Sequence, residues 1–351
     1  MSSLPVWALL LVFAGAAGAI WVAGVQLSNS VDVLDERLHL GSAIGGTILL
    51  AIATNLPEIA ITASAALQHA IGVAVGNILG GIAIQTVVLV VLDAFGVQEK
   101  RPLTYQAASL TLVLEAVLVI AVLVVTVMGT QLPSHLYYAR MTPSALLILV
   151  LWLLGLMILS RAQRGLPWHE SGEAPDSQQP PKGHSQQTKE KAAGSTRRAA
   201  LIFGAGAVVT LVAGVVLERS GDQIAGHIGL SGVLFGATVL AAATSLPELS
   251  TGLTSAKMGD YQLAISDIFG GNAFLPVLFV VADLLNGRAV LPFAHDTDIY
   301  LTALGALLTA VYAVGLILRP SRNHARMGWD SVTVLLLYAL GIAGLVALAQ
   351  G

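Results

Sequence analysis

Cysteine is absent from this chain of 351 residues. That excludes disulfides, thiolate metal sites and cysteine nucleophiles. Charge is scarce as well. Only 11% of the residues are Asp, Glu, Lys or Arg, where a soluble domain carries about 25%. With 56% hydrophobic residues and a mean hydropathy of +0.80, too few polar side chains remain to cover a surface facing water. The partner this implies is a lipid bilayer. The net charge of −3 comes with no basic patch, so nothing points to nucleic acid. Nothing sets an oligomeric state.

A spanning helix needs about 20 apolar residues. Candidates fall at 4–26, 41–68, 71–97, 103–129, 143–161, 198–217, 230–257, 260–286, 298–318 and 330–349. Residues 4–26 read as a first span rather than a cleaved signal, because no Lys or Arg precedes a run that is long for a signal core. The polar stretch 162–197 has too few apolar groups to offset its ordering entropy and reads as a flexible linker, with a regulatory role as the alternative. Of the 17 Lys and Arg residues, only Arg140, Arg219 and Arg288 fall in the loops opposite that linker. By the positive-inside rule the linker is cytoplasmic and both termini are outside, in a plasma (inner) membrane.

The two halves register at an offset of 190 residues. Thr54, Pro57 and Glu58 fall on Thr244, Pro247 and Glu248; Gly80 and Gly81 fall on Gly270 and Gly271; Asp93 falls on Asp283. Two repeats with an odd number of helices each must enter the membrane from opposite sides. The expected fold class is therefore an all-α polytopic membrane protein, with ten transmembrane helices in two inverted five-helix repeats. The expected division is 1–161, the cytoplasmic linker 162–197, and 198–351. A duplication serving structure alone would leave the paired carboxylates unexplained.

Ala53-Thr54-Asn55-Leu56-Pro57-Glu58 and Ala243-Thr244-Ser245-Leu246-Pro247-Glu248 lie inside apolar runs. A charge at bilayer depth costs at least ~2.5–3.5 kcal/mol, so two in matching contexts ask for a function. On a helix, i and i+4 put the Thr hydroxyl and the Glu carboxylate on one face. Pro57 and Pro247 donate no backbone hydrogen bond, which frees the carbonyls of Ala53 and Ala243. Carboxylate, hydroxyl and loose carbonyl are hard oxygen ligands, suited to Ca²⁺ or Na⁺ and poorly to Zn²⁺ or Cu²⁺. The bland reading of each proline is an ordinary kink.

Gly76–Gly81 and Ser266–Asn272 open polar faces on the next helices, where Asn77 and Asp267 are equivalent. Asn77 offers a neutral carbonyl, and Asp267 is a third intramembrane carboxylate able to carry a proton. The glycines serve packing or close approach. Gln85, two turns past Asn77, is placed along the same path. Glu115 sits within the fourth span with no counterpart. Asp93 and Asp283 lie near helix ends and read as wetted, and His69, His227 and His295 fall in loops or at helix ends, away from any metal site.

The duplicated Thr-x-x-Pro-Glu motif on two inverted five-helix halves resembles the Ca²⁺:cation antiporter superfamily, which includes sodium/calcium and cation/proton exchangers. The resemblance implies that Glu58 and Glu248 bind Ca²⁺ and Na⁺ in turn, helped by Thr54 and Thr244. Ser245 matches the family's hydroxyl after the Thr, while Asn55 replaces it in the first copy. In the sodium/calcium branch Gly81 and Gly271 would usually be serines, Gln85 would be Asn, and Leu275 would be Asn or Asp. Asp267 stands where Asn is common. These departures leave a central divalent site and favour proton coupling or another cation pairing over a three-sodium exchange.

The expected function is a secondary antiporter moving Ca²⁺ against Na⁺ or H⁺. The metal-site candidates are Ala53, Thr54, Asn55, Glu58, Asn77, Gln85, Ala243, Thr244, Ser245, Glu248 and Asp267, and the ions are cargo rather than cofactors. An ion channel would need a filter ring, and none is visible. A membrane enzyme would use the two Glu for acid–base work, but neither a nucleophile–base constellation nor a His metal motif accompanies them.

Overall fold

The structure is a computed structural model that describes residues 4–38, 52–107, 109–162, 196–230, 232–322 and 326–350. The first part of the expected 41–68 span and nearly all of the expected linker, 163–195, lie outside the described residues.

The described chain is built of helices: α1 (Val6–Leu38), α2 (Leu56–Leu67), α3 (Ile71–Phe95), α4 (Leu103–Ala107), α5 (Leu110–Thr130), α6 (Pro143–Ala162) and α7 (Thr196–Ile228). Then follow α8 (Gly232–Phe235), a π-helical stretch (Gly236–Leu240), α9 (Ala241–Thr244), α10 (Leu246–Lys257) and α11 (Tyr261–Phe274). A 3₁₀ turn (Leu275–Val277) leads into α12 (Leu278–Asn286), and α13 (Asp296–Leu318) and α14 (Trp329–Gln350) close the chain. Eight helices among the described residues are long and apolar enough to cross a membrane, and α2 is a shorter apolar helix.

Helix bounds recur at the offset of the sequence repeat. Val6–Leu38 and Thr196–Ile228 are both 33 residues long, and Leu56–Leu67 and Leu246–Lys257 are both 12. Both long helices outrun their expected spans of 4–26 and 198–217. At 1.5 Å per residue each reaches about 50 Å, well beyond a hydrocarbon core of about 30 Å. The expected fourth span, 103–129, divides into α4 and α5, where Ser109 caps α5 by accepting a hydrogen bond from the Thr111 amide.

Burial separates a centre from a rim. The spans Ile71–Phe95 and Tyr261–Asn286 are 72% buried, while Val6–Leu27 is 28% and Trp329–Ala349 only 17%. On the rim, Leu153, Leu154, Ile158, Leu336 and Leu340 are exposed, the apolar-outside pattern that lipid requires. The paired helices α1 and α7 pack crosswise onto the motif prolines. Gly24 of α1 lies against Pro247, and Gly214 of α7 lies against Pro57 and Ala60. A Cβ at Gly24 would fall 2.5 Å from the Pro247 ring, so only glycine allows that approach.

Asp93 and Asp283 correct the expectation of wetted helix ends, being 2% and 1% exposed. Asp93 accepts hydrogen bonds from the Leu103 amide at 2.7 Å and, across the molecule, from the Gly328 amide and the Ser331 hydroxyl at 2.7 Å. Asp283 accepts from the Val290 amide at 2.9 Å and from the Thr142 amide and hydroxyl at 2.9 and 2.7 Å. Each carboxylate shapes the loop after its own helix and pins the start of a helix from the other half. The backbone donors of loops that fold inward need such partners.

Candidate functional site

The two motifs fold alike. Thr54 ends a short helical stretch, the chain turns at Asn55 (φ −89°, ψ 14°), and α2 begins with Leu56, Pro57 and Glu58 in its first turn. Thr244 ends α9, the turn is at Ser245 (φ −81°, ψ 4°), and α10 begins with Leu246, Pro247 and Glu248. The continuous turn expected from Thr54 to Glu58 is thus interrupted at the middle residue. Proline explains the place: its ring fits the first turn of a helix, where no donor is missed, and excludes a turn before it. Each Glu therefore sits at a helix N-terminus, where the peptide dipole favours negative charge.

Buried depth is complete. Glu58, Glu248, Asn55, Thr244, Asn77 and Gln85 are 0% exposed, Ala53 and Thr54 1%, Ser245 2%, Asp267 7% and Ala243 8%. The structure brings Glu58 and Glu248 together: Glu248 lies within electrostatic reach of Glu58 and of Asp267, and the Thr244 side chain faces Glu58. None of the four glutamate oxygens closes a hydrogen bond of ordinary length. Two buried carboxylates so short of donors form a site of negative potential that a cation or protons would relieve.

Around this pair the halves differ. Asp267 accepts a hydrogen bond from the Thr251 hydroxyl at 2.8 Å, one turn beyond Glu248. Gln85 and Asn55 meet at Gly271, where a Cβ would lie 3.4 Å from Gln85 Oε1 and 3.1 Å from Asn55 Nδ2. The matching Gly81 instead faces Leu275, whose Cδ1 would lie 3.3 Å from a Cβ there. Glycine at 271 thus leaves room for two amides longer than the serine and asparagine of the sodium/calcium branch, and one of the paired positions is apolar. Asn77 lies on α3 against Gly236, and its side chain is buried without a hydrogen-bond partner among the described residues. The hydroxyls of Thr244 and Ser245 donate back to the Ala241 carbonyl at 3.1 and 2.8 Å.

Thr251 escaped the sequence reading, and Glu115 was singled out there without a partner. Thr251 carries no motif of its own; its position one turn past Glu248 is the signal that would have found it. Glu115, with no counterpart in the repeat, accepts a hydrogen bond from Ser266 at 2.9 Å. The π-helical stretch before the second motif was also unforeseen, and such stretches often mark functional sites.

These features define a polytopic helical membrane protein with a buried acidic cluster between its two motifs. Residues 8–162 and 198–347 match the family model for sodium/calcium exchanger protein. The chain belongs to that family, within the Ca²⁺:cation antiporter superfamily, and is an integral membrane antiporter of cations rather than an enzyme. It is 26% identical over 297 residues to inner membrane protein YrbG of Escherichia coli, covering 82% of both chains. To the putative antiporter CaxA of Alkalimonas amylolytica it is 28% identical over 318 residues, covering 90% of this chain and 93% of that one. Its fold matches the crystal structure of an H⁺/Ca²⁺ exchanger, CAX, with a TM-score of 0.68 at 13% identity, over 97% of this chain and 86% of that one.

Proposed function

We propose that the protein exchanges Ca²⁺ for Na⁺ or H⁺ by alternating access, through one midplane site that both Thr-x-x-Pro-Glu motifs build. The observation that carries this reading is the Glu58–Glu248 pair, wholly buried, within electrostatic reach of one another, with none of its four oxygens closing a hydrogen bond of ordinary length. Two carboxylates neutralise one divalent ion or two monovalent ones, so the same site can hold Ca²⁺ outbound and its exchange partner inbound. Thr54, Thr244, Asn55, Ser245, Asn77, Gln85, Asp267 and the carbonyls of Ala53 and Ala243 supply the remaining oxygens. Ten spans in two inverted repeats, with 162–197 as a cytoplasmic linker, complete the reading. The crosswise bonds of Asp93 and Asp283 and the crosswise contacts of Gly24 and Gly214 support a two-fold relation between the halves. Inversion matters because it lets one site open to either side at matched cost.

Proton coupling is the second reading, favoured by Leu275 and by glycine at 81 and 271, which remove oxygen ligands a third sodium would need. Vesicles holding the purified protein separate the two. Uptake of ⁴⁵Ca²⁺ is measured against an outward Na⁺ gradient and then against a pH gradient. Uptake driven by one gradient identifies the coupling ion. Uptake that needs neither gradient would indicate a channel, and full uptake in both Glu58→Gln and Glu248→Gln would reject the site.

A further inference from the structure

The buried carboxylates of this protein differ in how many donors they have. Asp93 and Asp283 have donors on both oxygens and hold loops. Glu115, 5% exposed, has the Ser266 hydroxyl on Oε1 at 2.9 Å and no hydrogen-bond partner on Oε2. It stands five residues into α5, and Ser266 stands five residues into α11. At 1.5 Å per residue both lie about 8 Å inside the ends of their helices. Ser266 is half-buried and precedes Asp267, which Thr251 ties to the α10 turn that carries Glu248. The polar series Glu115, Ser266, Asp267, Thr251 therefore links Glu115 to the α10 turn that carries Glu248. At the equivalent positions of the other half stand Gly305, Gly76, Asn77 and Ile61, none of them acidic.

We propose that Glu115 is a proton-binding site separate from the Glu58–Glu248 pair, which takes up a proton while the central site is empty and releases it when a cation enters. An ionised carboxylate away from water with one hydroxyl donor is left short of partners. A neutral one with an open Oε2 lacks the second bond that Asp93 and Asp283 each have. The side chain is satisfied in neither state, which suits a group that changes state. On release the carboxyl O–H bond breaks, the proton passes to bulk water, and the carboxylate keeps Ser266 as its donor. A cation arriving near Asp267 supplies the compensating charge. The elements packed on α5 carry Tyr261 and Asp267 on α11, Asp296, Asp298, Tyr300 and Tyr312 on α13, and the exposed Arg161 on α6.

The role of the site rests on the transport reading; its proton does not, and the test keeps the two apart. Infrared spectra of the purified protein in lipid nanodiscs are recorded from about pH 5 to pH 9, with and without added Ca²⁺. The expected result is a protonated-carboxyl C=O band that Glu115→Gln lacks, that fades as pH rises, and that loses at least half its intensity on adding Ca²⁺. Ser266→Ala, which removes only the donor, shifts the frequency of that band and identifies it if Glu115→Gln does not fold. In vesicles, Glu115→Gln flattens the pH profile of ⁴⁵Ca²⁺ uptake. Wild-type spectra without a band assignable to Glu115, or with one indifferent to pH and Ca²⁺, overturn the proposal. Vesicles in which the wild type moves no Ca²⁺ overturn the transport reading and leave the infrared result to decide this one.

Discussion

The two halves of the site share their charges and differ in what surrounds them. Thr54 and Thr244, Pro57 and Pro247, and Glu58 and Glu248 are equivalent pairs with the same backbone break before the proline. One shell out, the second motif has Thr251, Ser266, Asp267 and Glu115 where the first has Ile61, Gly76, Asn77 and Gly305. Gln85 reaches Gly271 on one side, and Leu275 fills the matching space beside Gly81. On the alternating-access reading proposed above, the shared part is what a frame opening to either side must keep equal. The unequal part is free to distinguish the ions, because an added carboxylate or a lost amide alters the charge a cargo must bring. A duplicated fold thus need not bind its two cargoes in mirror-image ways.

The largest effect tests the shared part. Glu58→Gln and Glu248→Gln each leave one buried carboxylate without its counterpart and the divalent ion half-neutralised. Breaking a buried charge pair costs about 3–5 kcal/mol, so equilibrium ⁴⁵Ca²⁺ binding should weaken by about two to three orders of magnitude in either variant. Equal losses keep the halves equivalent at this level; a loss confined to one variant makes the other glutamate a bystander.

Next comes the unequal part. Asp267→Asn removes a charge near Glu248. A neighbouring unit charge in a partly polarisable interior is worth on the order of 1–2 kcal/mol, so Ca²⁺ affinity should fall about tenfold, and the pH dependence of transport should flatten. The double variant Asn77→Asp with Asp267→Asn moves the carboxylate to the first half. There Ile61 replaces the Thr251 donor, so the affinity should not return. Full recovery would show the two flanks to be interchangeable.

Much of this was legible from residue types. Proline beside glutamate in apolar runs, repeated at one offset, marks the helix breaks and the paired charges because lipid tolerates neither without cause. Eight of the ten expected runs hold helices long and apolar enough to cross a membrane among the described residues, and the match in fold bears out an all-helical membrane protein. What stayed hidden depended on distance in the chain. Asp93 looked like a helix-end residue, because its donors at Gly328 and Ser331 lie far along the sequence. Glu115 looked isolated because Ser266 belongs to the other half. The lengths of α1 and α7 were underestimated because apolar runs report the lipid-crossing part of a helix, and the helix continues past it.

The loop anchors give the third comparison. Asp93→Asn and Asp283→Asn keep the side-chain shape but replace a charged acceptor, and put an amide N–H₂ where one set of donors already points. Losing charge-assisted bonds of this kind costs about 2–4 kcal/mol. Thermal melts in detergent should therefore drop by several degrees in each variant, by similar amounts. A melt unchanged in one alone would show that its loop is held by other contacts.

The smallest effect concerns the two glycines beside the amide and the leucine. A serine at 81 brings its Cβ to 3.3 Å from Leu275 Cδ1, the end of a side chain that can turn away. At 271 the Cβ meets Asn55 Nδ2 at 3.1 Å and Gln85 Oε1 at 3.4 Å, both able to bond a hydroxyl. Gly81→Ser and Gly271→Ser should each cost less than about 1 kcal/mol, with melts within about 3 °C of the parent. Their functional outcomes should differ. The hydroxyl at 271 joins an existing polar group and should raise Na⁺ inhibition of ⁴⁵Ca²⁺ binding about two- to threefold, the effect of a gain of about half a kcal/mol. At 81 it faces a methyl group and adds no ligand, so Na⁺ inhibition should stay as in the parent. A gain at 81 equal to that at 271 would mean that Leu275 does not close that side of the site to sodium.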